Sequence, residues 1–558
     1  MLARKYRNEI IIALAALAIA AAWLPIRMRF PFDDTYITFR YAANLAHGFG
    51  IVWNHGGAHT EGYTNFLFML MLVPFSAMGC DLVIVSQAIG VVAIVVSAIA
   101  IFWIVANGEW RVANDSNSNA PQFSVLRSPF AILATALFLL DPFIWFNAYS
   151  GMETSLFTMW LLLSVATVHR RWLPFVFATL AALTRPEGAI IGFVIVIVAL
   201  WAFIQKTKGT QVTQRPLLNL WNIIRPVIYF FVLPLLLYGL WKLWYFDDLL
   251  PNSFYIKVAQ ASSPAMSGYT FLPGRGSMRI FYEGVWYLVI LAIVAAWKGR
   301  KNSTIQIAVL WCIMLSVFYL FSHLISNEYL RFTNSAETML IVLAGFALGS
   351  YCKTKRTGNN RWIKCAAFAV LIMLHIFWSY HFRYGRFYMH RDEEYQSRYS
   401  RIAPVLRSIP NHDRITLAWG DAGRLPYYSE LRNIDPVGLN TNEIAHAHSP
   451  QEIIDFIMRS KPDLIIIPLS LPSHENGSGD TCYTVLHGGD GLIGAGYPEL
   501  AAEVMASTYK PIAIIPQTIY DLDILADTLS VHYRDIVNVI VPRIGRDPDF
   551  LPPAECAK

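Results

Sequence analysis

Apolar runs close to twenty residues long recur from residue 10 to residue 379 and then stop. Residues 82–105, 129–146, 226–245 and 304–322 are examples. As helices, each is long enough to cross a hydrocarbon core of roughly 30 Å. The pattern predicts a polytopic α-helical membrane protein. One run differs: residues 66–79, FLFMLMLVPFSAMG, form a short stretch that contains Pro74. Its length suits a re-entrant or interfacial segment better than a span. Beyond residue 380 the apolar runs shorten to ITLAWG, PDLIIIPL, PIAIIPQ and VNVIVPRI, separated by helical or turn sequence such as QEIIDFIMRS. That alternation predicts a small α/β domain over 380–558, long enough for its own core. No internal repeat is visible.

Charge orients these elements. Lys and Arg gather in short loops at 1–8, 107–128, 169–172, 206–225, 298–303 and 352–364, which together hold 19 basic residues. Such loops belong in the cytoplasm. They all fall on one side only if 66–79 does not cross. About eleven spans then follow, near 9–25, 82–106, 129–148, 153–168, 172–184, 188–205, 226–245, 282–297, 304–322, 336–351 and 362–379. The N-terminus is cytoplasmic, 26–81 is the first outer loop of a membrane domain over 1–379, and the tail is extracytoplasmic. Residues 1–25 have the look of a signal peptide and are read as an uncleaved first helix. The expected location is a bacterial inner membrane.

Composition agrees: the 558 residues are 55% hydrophobic and 15% charged, with mean hydropathy +0.42. The net charge of +6 hides a split: residues 1–379 carry 28 basic and 15 acidic residues, and 380–558 carry 16 and 23. No Lys/Arg run suggests a nucleic-acid partner. The six cysteines form no C-x-x-C pair, which argues against a zinc or redox motif. Cys482 and Cys556 are a candidate disulfide in an extracytoplasmic tail.

On this topology twelve of the fifteen acids before residue 380 fall on the outer half. A carboxylate at membrane depth is costly and usually faces a polar cavity. The first outer loop reads F-D-D-T-Y-I-T-F-R-Y-A-A-N-L, with Tyr36, Phe39, Ala43 and Ala46 at helical spacing. This predicts an amphipathic helix on the membrane surface. Asp33 and Asp34 sit at its start, where negative charge is favoured. A cap needs one carboxylate, not two. The other is a candidate general base, with Asp33 preferred because Asp34 is more easily explained as the cap. E-G-Y-T-N places Glu61, Tyr63 and Asn65 beside the aspartates as acceptor lining, or as a turn capped by Asn65. S-G-M-E-T-S sets Glu153 at a helix start. T-R-P-E-G sets Arg185 and Glu187 in a turn between short spans. F-D-D-L-L-P-N-S-F-Y-I-K offers Asp247, Asp248, Asn252 and Lys257, and N-E-Y-L-R-F-T-N offers Arg331. Arg185, Lys257, Arg331 and Asn252 are candidate phosphate or donor ligands, since Arg holds phosphate through charge-assisted hydrogen bonds. Asp33, Asp34 and Glu153 could instead hold a divalent cation such as Mg, Mn or Ca. In the tail, G-D-A-G reads as a strand-end turn, and Asp421 and Asp435 could face the membrane domain or a glycan.

The motifs D-D-T-Y-I-T-F-R-Y-A-x-N-L, E-G-Y-T-N, S-G-M-E-T, T-R-P-E-G and D-D-L-L-P-N-S-F-Y-I-K occur in one order across most of residues 30–260. In that order they resemble the GT-C superfamily of membrane glycosyltransferases. The nearest group is the terminal β-(1→2)-arabinofuranosyltransferases of mycobacteria, which W-G-D-A-G-R-L-P-Y-Y-S and N-I-D-P-V-G-L-N in the tail also resemble. N-E-Y-L-R-F-T-N and G-G-A-H-T depart from the family's usual outer segments. The resemblance implies an inverting transferase with a polyprenyl-phosphate sugar donor, D-arabinofuranose first. It also implies a catalytic acid at Asp33 or Asp34. The acceptor would be a glycan, a lipid-linked glycan or a pilin-type protein. A transporter or flippase of lipid-linked sugars is the competing reading. It would bury charge at the midplane, whereas these acids gather on one face.

Overall fold

A computed structural model describes residues 6–25, 31–114, 128–209, 216–259, 274–320, 330–354 and 361–379. In the tail it describes 403–404, 406–408, 411–420, 422–470, 484–485, 513–517 and 536–542. Cys482, Cys556 and Asp421 lie outside the described residues.

The apolar runs are helices. They are α1 (Arg7–Trp23), α2 (Asp33–Ala46), α3 (Phe66–Ala77), α4 (Leu82–Asn114), α5 (Pro129–Leu140), α6 (Pro142–Tyr149), α7 (Thr154–Ala166) and α8 (Leu173–Thr184). After these come α9 (Ala189–Gly209), α10 (Pro216–Val227), α11 (Leu233–Phe246), α12 (Gly274–Lys298), α13 (Ser303–Leu320), α14 (Asn334–Thr354) and α15 (Arg361–Trp378). Among the described residues, five stretches are long and apolar enough to cross a membrane: 82–107, 186–205, 220–246, 281–298 and 303–320. Leu236, Leu237, Leu240 and Trp244 on α11 are exposed, which suits contact with lipid. The chain is thus a multi-pass membrane protein.

Two helical stretches depart from the straight spans expected of them, and α3 is the short helix expected over 66–79. The run 129–148 is bent by 54° between α5 and α6. Asp141 is extended there, as the residue before a proline tends to be, and its carboxylate accepts from Phe143 N at 2.8 Å to start α6. The stretch 226–245 contains a π-helical turn over Ile228–Val232. Pro234 has no N–H for the Phe230 carbonyl, and Thr179 Oγ1 donates to that carbonyl instead at 2.6 Å. α3 is only twelve residues long, with Pro74 inside and Phe68, Met69 and Leu72 buried.

The tail contains a six-stranded mixed sheet. β1 (Thr416–Ala418) pairs in parallel with β2 (Arg432–Ile434) and with β3 (Leu464–Ser470). β3 also pairs antiparallel with β4 (Thr484–Val485) and with β6 (Ile536–Pro542), and β6 pairs with β5 (Ala513–Gln517). Among the described residues, the helices that accompany the sheet include α16 (Arg424–Ser429) and α17 (Pro450–Ser460). Ser449 caps α17 by accepting from Glu452 N.

The amphipathic α2 does not lie open on a surface. Thr35 through Ala42 are all buried, because the tail covers the helix's polar side. Arg40 explains how. Its guanidinium donates to the main-chain carbonyls of Trp53 (2.9 Å), Pro426 (2.5 Å) and Leu431 (2.6 Å), and it stacks over Trp53. Asn54 Nδ2 donates to Asn433 O and Asn54 Oδ1 accepts from Asn433 N. A side chain at Gly423 would collide with the main chain of Asp33, and one at Gly62 with Asn440. Both glycines are therefore required by close approach rather than by backbone angle.

Arg40→Met would strand three buried carbonyls and remove hydrogen bonds from a charged donor, at a cost of about 2–4 kcal/mol. The expected outcome is a lower unfolding midpoint in detergent and faster proteolytic clipping between residues 411 and 470. Unchanged clipping would show that the contact does not hold the tail.

Candidate active site

α2 starts at Asp33 with Phe32 as its cap residue, and no side chain caps it. Neither aspartate is therefore the cap. The two carboxylates are used differently. Asp33 accepts from Gly423 N (2.9 Å) and Arg424 N (2.8 Å), one amide on each oxygen. Asp34 has a side chain that is 45% exposed, and its Oδ2 lies 2.9 Å from Arg331 Nη2. The expectation that favoured Asp33 as base meets a structural reason against it. Asp33 is held by backbone amides at the join with the tail, and Asp34 is the carboxylate that faces open space beside a cation.

Arg331 itself is buried, and its Nε and Nη1 have no hydrogen-bond partner among the described residues. Its guanidinium stacks on Phe332 at 4.8 Å, and the same ring carries Arg185 at 4.8 Å and Lys257 Nζ at 5.9 Å. Three cations from three distant segments thus meet around one aromatic ring. Burial pushes Lys257 down to about 8, reinforced by Arg331 and Arg185 and opposed by Asp34 and Glu187.

Arg185 is neutralised by a network of its own. Its Nε lies 2.6 Å from Glu187 Oε1, and its Nη1 lies 3.5 Å from Glu153 Oε1. Tyr319 OH donates to Glu187 at 2.5 Å. Asn65 Nδ2 donates to Glu153 at 2.8 Å, and Thr38 Oγ1 donates to Asn65 Oδ1. Asn65 therefore starts α3 without capping it, because its side chain is spent on Glu153. The chain Thr38–Asn65–Glu153–Arg185–Glu187–Tyr319 fixes the floor under Asp34 from α2, α3, α7, α8 and α13.

The remaining expected residues form a second group. Glu61 is buried with Lys242 Nζ 2.6 Å from its Oε2, Tyr238 OH at 3.4 Å from Oε1, and Tyr63 buried nearby. Burial pushes the Glu61 carboxyl up to about 7 against the opposing pull of Lys242. Asn252 does not join the phosphate candidates: its Nδ2 donates to Leu439 O and Asn442 Oδ1 in the tail. Asp247 is an exposed residue with positive φ at the end of α11. Asp248 accepts from Tyr255 OH at 2.6 Å and lies 3.3 Å from His446 Nε2. Asp435 is buried under Val437 N and Asn440 N, and burial pushes its carboxyl up to about 7; it shapes a turn rather than facing a ligand.

Two residues escaped the sequence reading. Lys242 was legible as a single charge in an apolar span, one helical turn after Tyr238. Phe332 carried no signal, since an aromatic beside an interfacial arginine is common. The cation-binding expectation also changes. Asp33 is committed to amides, Asp34 to Arg331 and Glu153 to Arg185 and Asn65. Among the described residues no group of three or more His, Cys, Asp or Glu is arranged to hold a metal ion.

Comparison with known proteins agrees on the fold. A family model described as a domain of unknown function (DUF8728) matches residues 386–530. No curated protein matches the sequence. The structure is similar to ArnT from Cupriavidus metallidurans bound to undecaprenyl phosphate, with 12% identity, 96% of this chain and 98% of that one covered, and a TM-score of 0.52. ArnT in the apo state gives 14% identity, 84% and 93% coverage and a TM-score of 0.47. The oligosaccharyltransferase of Archaeoglobus fulgidus, in complex with zinc and sulfate, gives 12%, 90% and 78%, and 0.47. The first of these likenesses spans nearly the whole of both chains, so this chain shares the fold of that protein.

Lys242→Met would leave Glu61 buried without its counter-charge, at a cost of about 3–5 kcal/mol. The sign with pH follows from the raised carboxyl. A group whose folded pKa exceeds its unfolded one favours folding at low pH and loses that contribution as pH rises through the folded value. With Lys242 gone the folded value climbs further, so the thermal penalty of Lys242→Met should be larger at pH 8 than at pH 6. A Glu61→Gln/Lys242→Met pair should recover part of the loss. An equal penalty at both pH values would refute the pairing.

Proposed function

We propose that this protein is an inverting membrane glycosyltransferase that takes a sugar from a polyprenyl monophosphate donor. The observation that carries the reading is Arg331, a buried guanidinium with two unpartnered nitrogens beside Lys257 and opposite the exposed carboxylate of Asp34. Buried donors without partners are costly and point to a missing acceptor. A phosphate supplies several acceptor oxygens and the negative charge. The solved structure that shares the fold holds undecaprenyl phosphate, which supports the same donor class here.

In this reading the donor phosphate lies between Arg331 and Lys257. Asp34 takes the proton of the acceptor hydroxyl. The acceptor oxygen bonds to the anomeric carbon from the face opposite the phosphate, and the bond from that carbon to the phosphate oxygen breaks. The electron pair leaves on the phosphate, where Arg331 and Lys257 stabilise it. Attack from the opposite face inverts the anomeric centre. Glu153 and Glu187 more than offset the charge of Arg185 and hold the floor with it, so Arg185 is a weaker phosphate ligand than Arg331. D-arabinofuranose is the sugar suggested by the ordered motifs. The acceptor, a glycan, lipid-linked glycan or glycoprotein such as a pilin, approaches along Glu61, Tyr63 and the tail. The location that fits is a bacterial inner membrane, with the site and tail extracytoplasmic.

Asp34→Asn should lower transfer from a synthetic decaprenyl-phosphate sugar by 10²-fold or more, of the order expected for losing a general base. Asp33→Asn should act mainly through stability. Full transfer activity in Asp34→Asn would sink the assignment, and movement of labelled lipid without its consumption would favour a flippase. Lys257 attracts the donor's phosphodiester anion, and the second negative charge that develops as the bond to the sugar breaks, only while it is protonated, so kcat/KM for the donor should fall as pH rises through about 8. Lys257→Arg should carry that limb to higher pH, and a limb that stays in place would remove Lys257 from the site.

A further inference from the structure

The opposite end of the helix bundle holds a second feature that the transfer reaction does not use. A cavity of about 270 Å³ opens where the α7–α8 turn, α9, α10 and the start of α13 meet. It is remote from Asp34. Arg185 follows the last residue of α8, whereas Pro174 and Phe175 of the cavity lie in that helix's first turn. Tyr319, which bonds Arg185, stands about 24 Å along α13 from Ser303 at the cavity rim, at 1.5 Å per residue.

The lining is amphiphilic. His169, Arg170, Arg171, Asn222 and Ser303 supply polar groups, and none of the lining residues is acidic. Phe175, Ile195, Val198, Ile223 and Ile307 supply apolar lining. Trp172, Trp221 and Trp297 are all strongly exposed and follow, precede or adjoin this rim in sequence. Exposed tryptophans beside basic residues mark the level of lipid headgroups. A pocket with two adjacent arginines, no carboxylate and apolar lining at headgroup level matches one chemistry: a phosphate ester that carries a hydrocarbon chain.

We propose that this cavity binds the phosphate of an anionic membrane lipid at Arg170 and Arg171, with the lipid chain along Phe175, Val198 and Ile307. The site lies across the bilayer from the proposed transfer centre and takes its ligand from the other leaflet. The inference is independent of the transferase reading, and its test measures no transfer.

The test uses the full-length protein in detergent, exposed to phosphatidylglycerol, phosphatidylcholine or inorganic phosphate and read by native mass spectrometry. Phosphatidylglycerol should be retained in preference to phosphatidylcholine, and an Arg170→Gln/Arg171→Gln variant should lose on the order of tenfold of that retention. Thermal unfolding in phosphatidylcholine reports whether the variant is folded; Arg170→Lys/Arg171→Lys keeps the charge and should retain the lipid. Equal retention of the two lipids, or unchanged retention by the Gln variant, overturns the site. Displacement of phosphatidylglycerol by millimolar inorganic phosphate would assign the cavity to a soluble phosphate and overturn the lipid.

Discussion

The burial of Arg40 is the constraint on which the rest of the arrangement depends. A guanidinium removed from water needs acceptors for its donors, and here three come from main-chain carbonyls, two of them nearly 390 residues further along the chain. Burial lowers its proton affinity to about 10, so it stays charged at neutral pH and its buried donors must be answered by those carbonyls. The tail must therefore sit on α2 for α2 to be stable where it is. Once it does, Gly423 and Arg424 present their amides to Asp33, and Asp34, one residue on, is turned toward Arg331.

This division of labour between adjacent aspartates follows from helix geometry. Successive residues on a helix point about 100° apart. One carboxylate can anchor the helix start to the tail while its neighbour faces a different space. An acid that holds two backbone amides has its lone pairs occupied and is a poor proton acceptor. An acid that is half exposed beside a cation stays reachable. The cation in turn gains a partner in the resting molecule without losing its other two nitrogens to it.

The site is electrically economical. Arg185 is surrounded by Glu153 and Glu187, so its positive charge is cancelled where it lies and serves rigidity. By formal charge, Arg331 and Lys257 with Asp34 keep one positive charge in excess, while Arg185 with Glu153 and Glu187 carries one negative, so the six groups together sum to zero. The local excess at Arg331 and Lys257 suits the single negative charge of a phosphodiester, and the Phe332 ring contacts all three cations. The Glu61–Lys242 pair applies the same logic at the other side of α2, where it ties the outer loop to α11.

The amino-acid sequence by itself determined the helical membrane class and pointed to Asp34, Glu153, Arg185, Glu187, Lys257 and Arg331, which the structure brings together. Charged residues at membrane depth are rare enough that each one signals a polar site, and loop parity led to the expectation that they share one face. Sequence could not decide which aspartate meets the tail and which meets Arg331, because both occupy the first turn of one helix. Only the tail's approach separates them. Nor could it show that Asn252 serves the tail rather than the phosphate, that Lys242 answers Glu61, or that α2 is covered. Those are contacts between segments hundreds of residues apart, set by packing that leaves no local trace in the residues that make them.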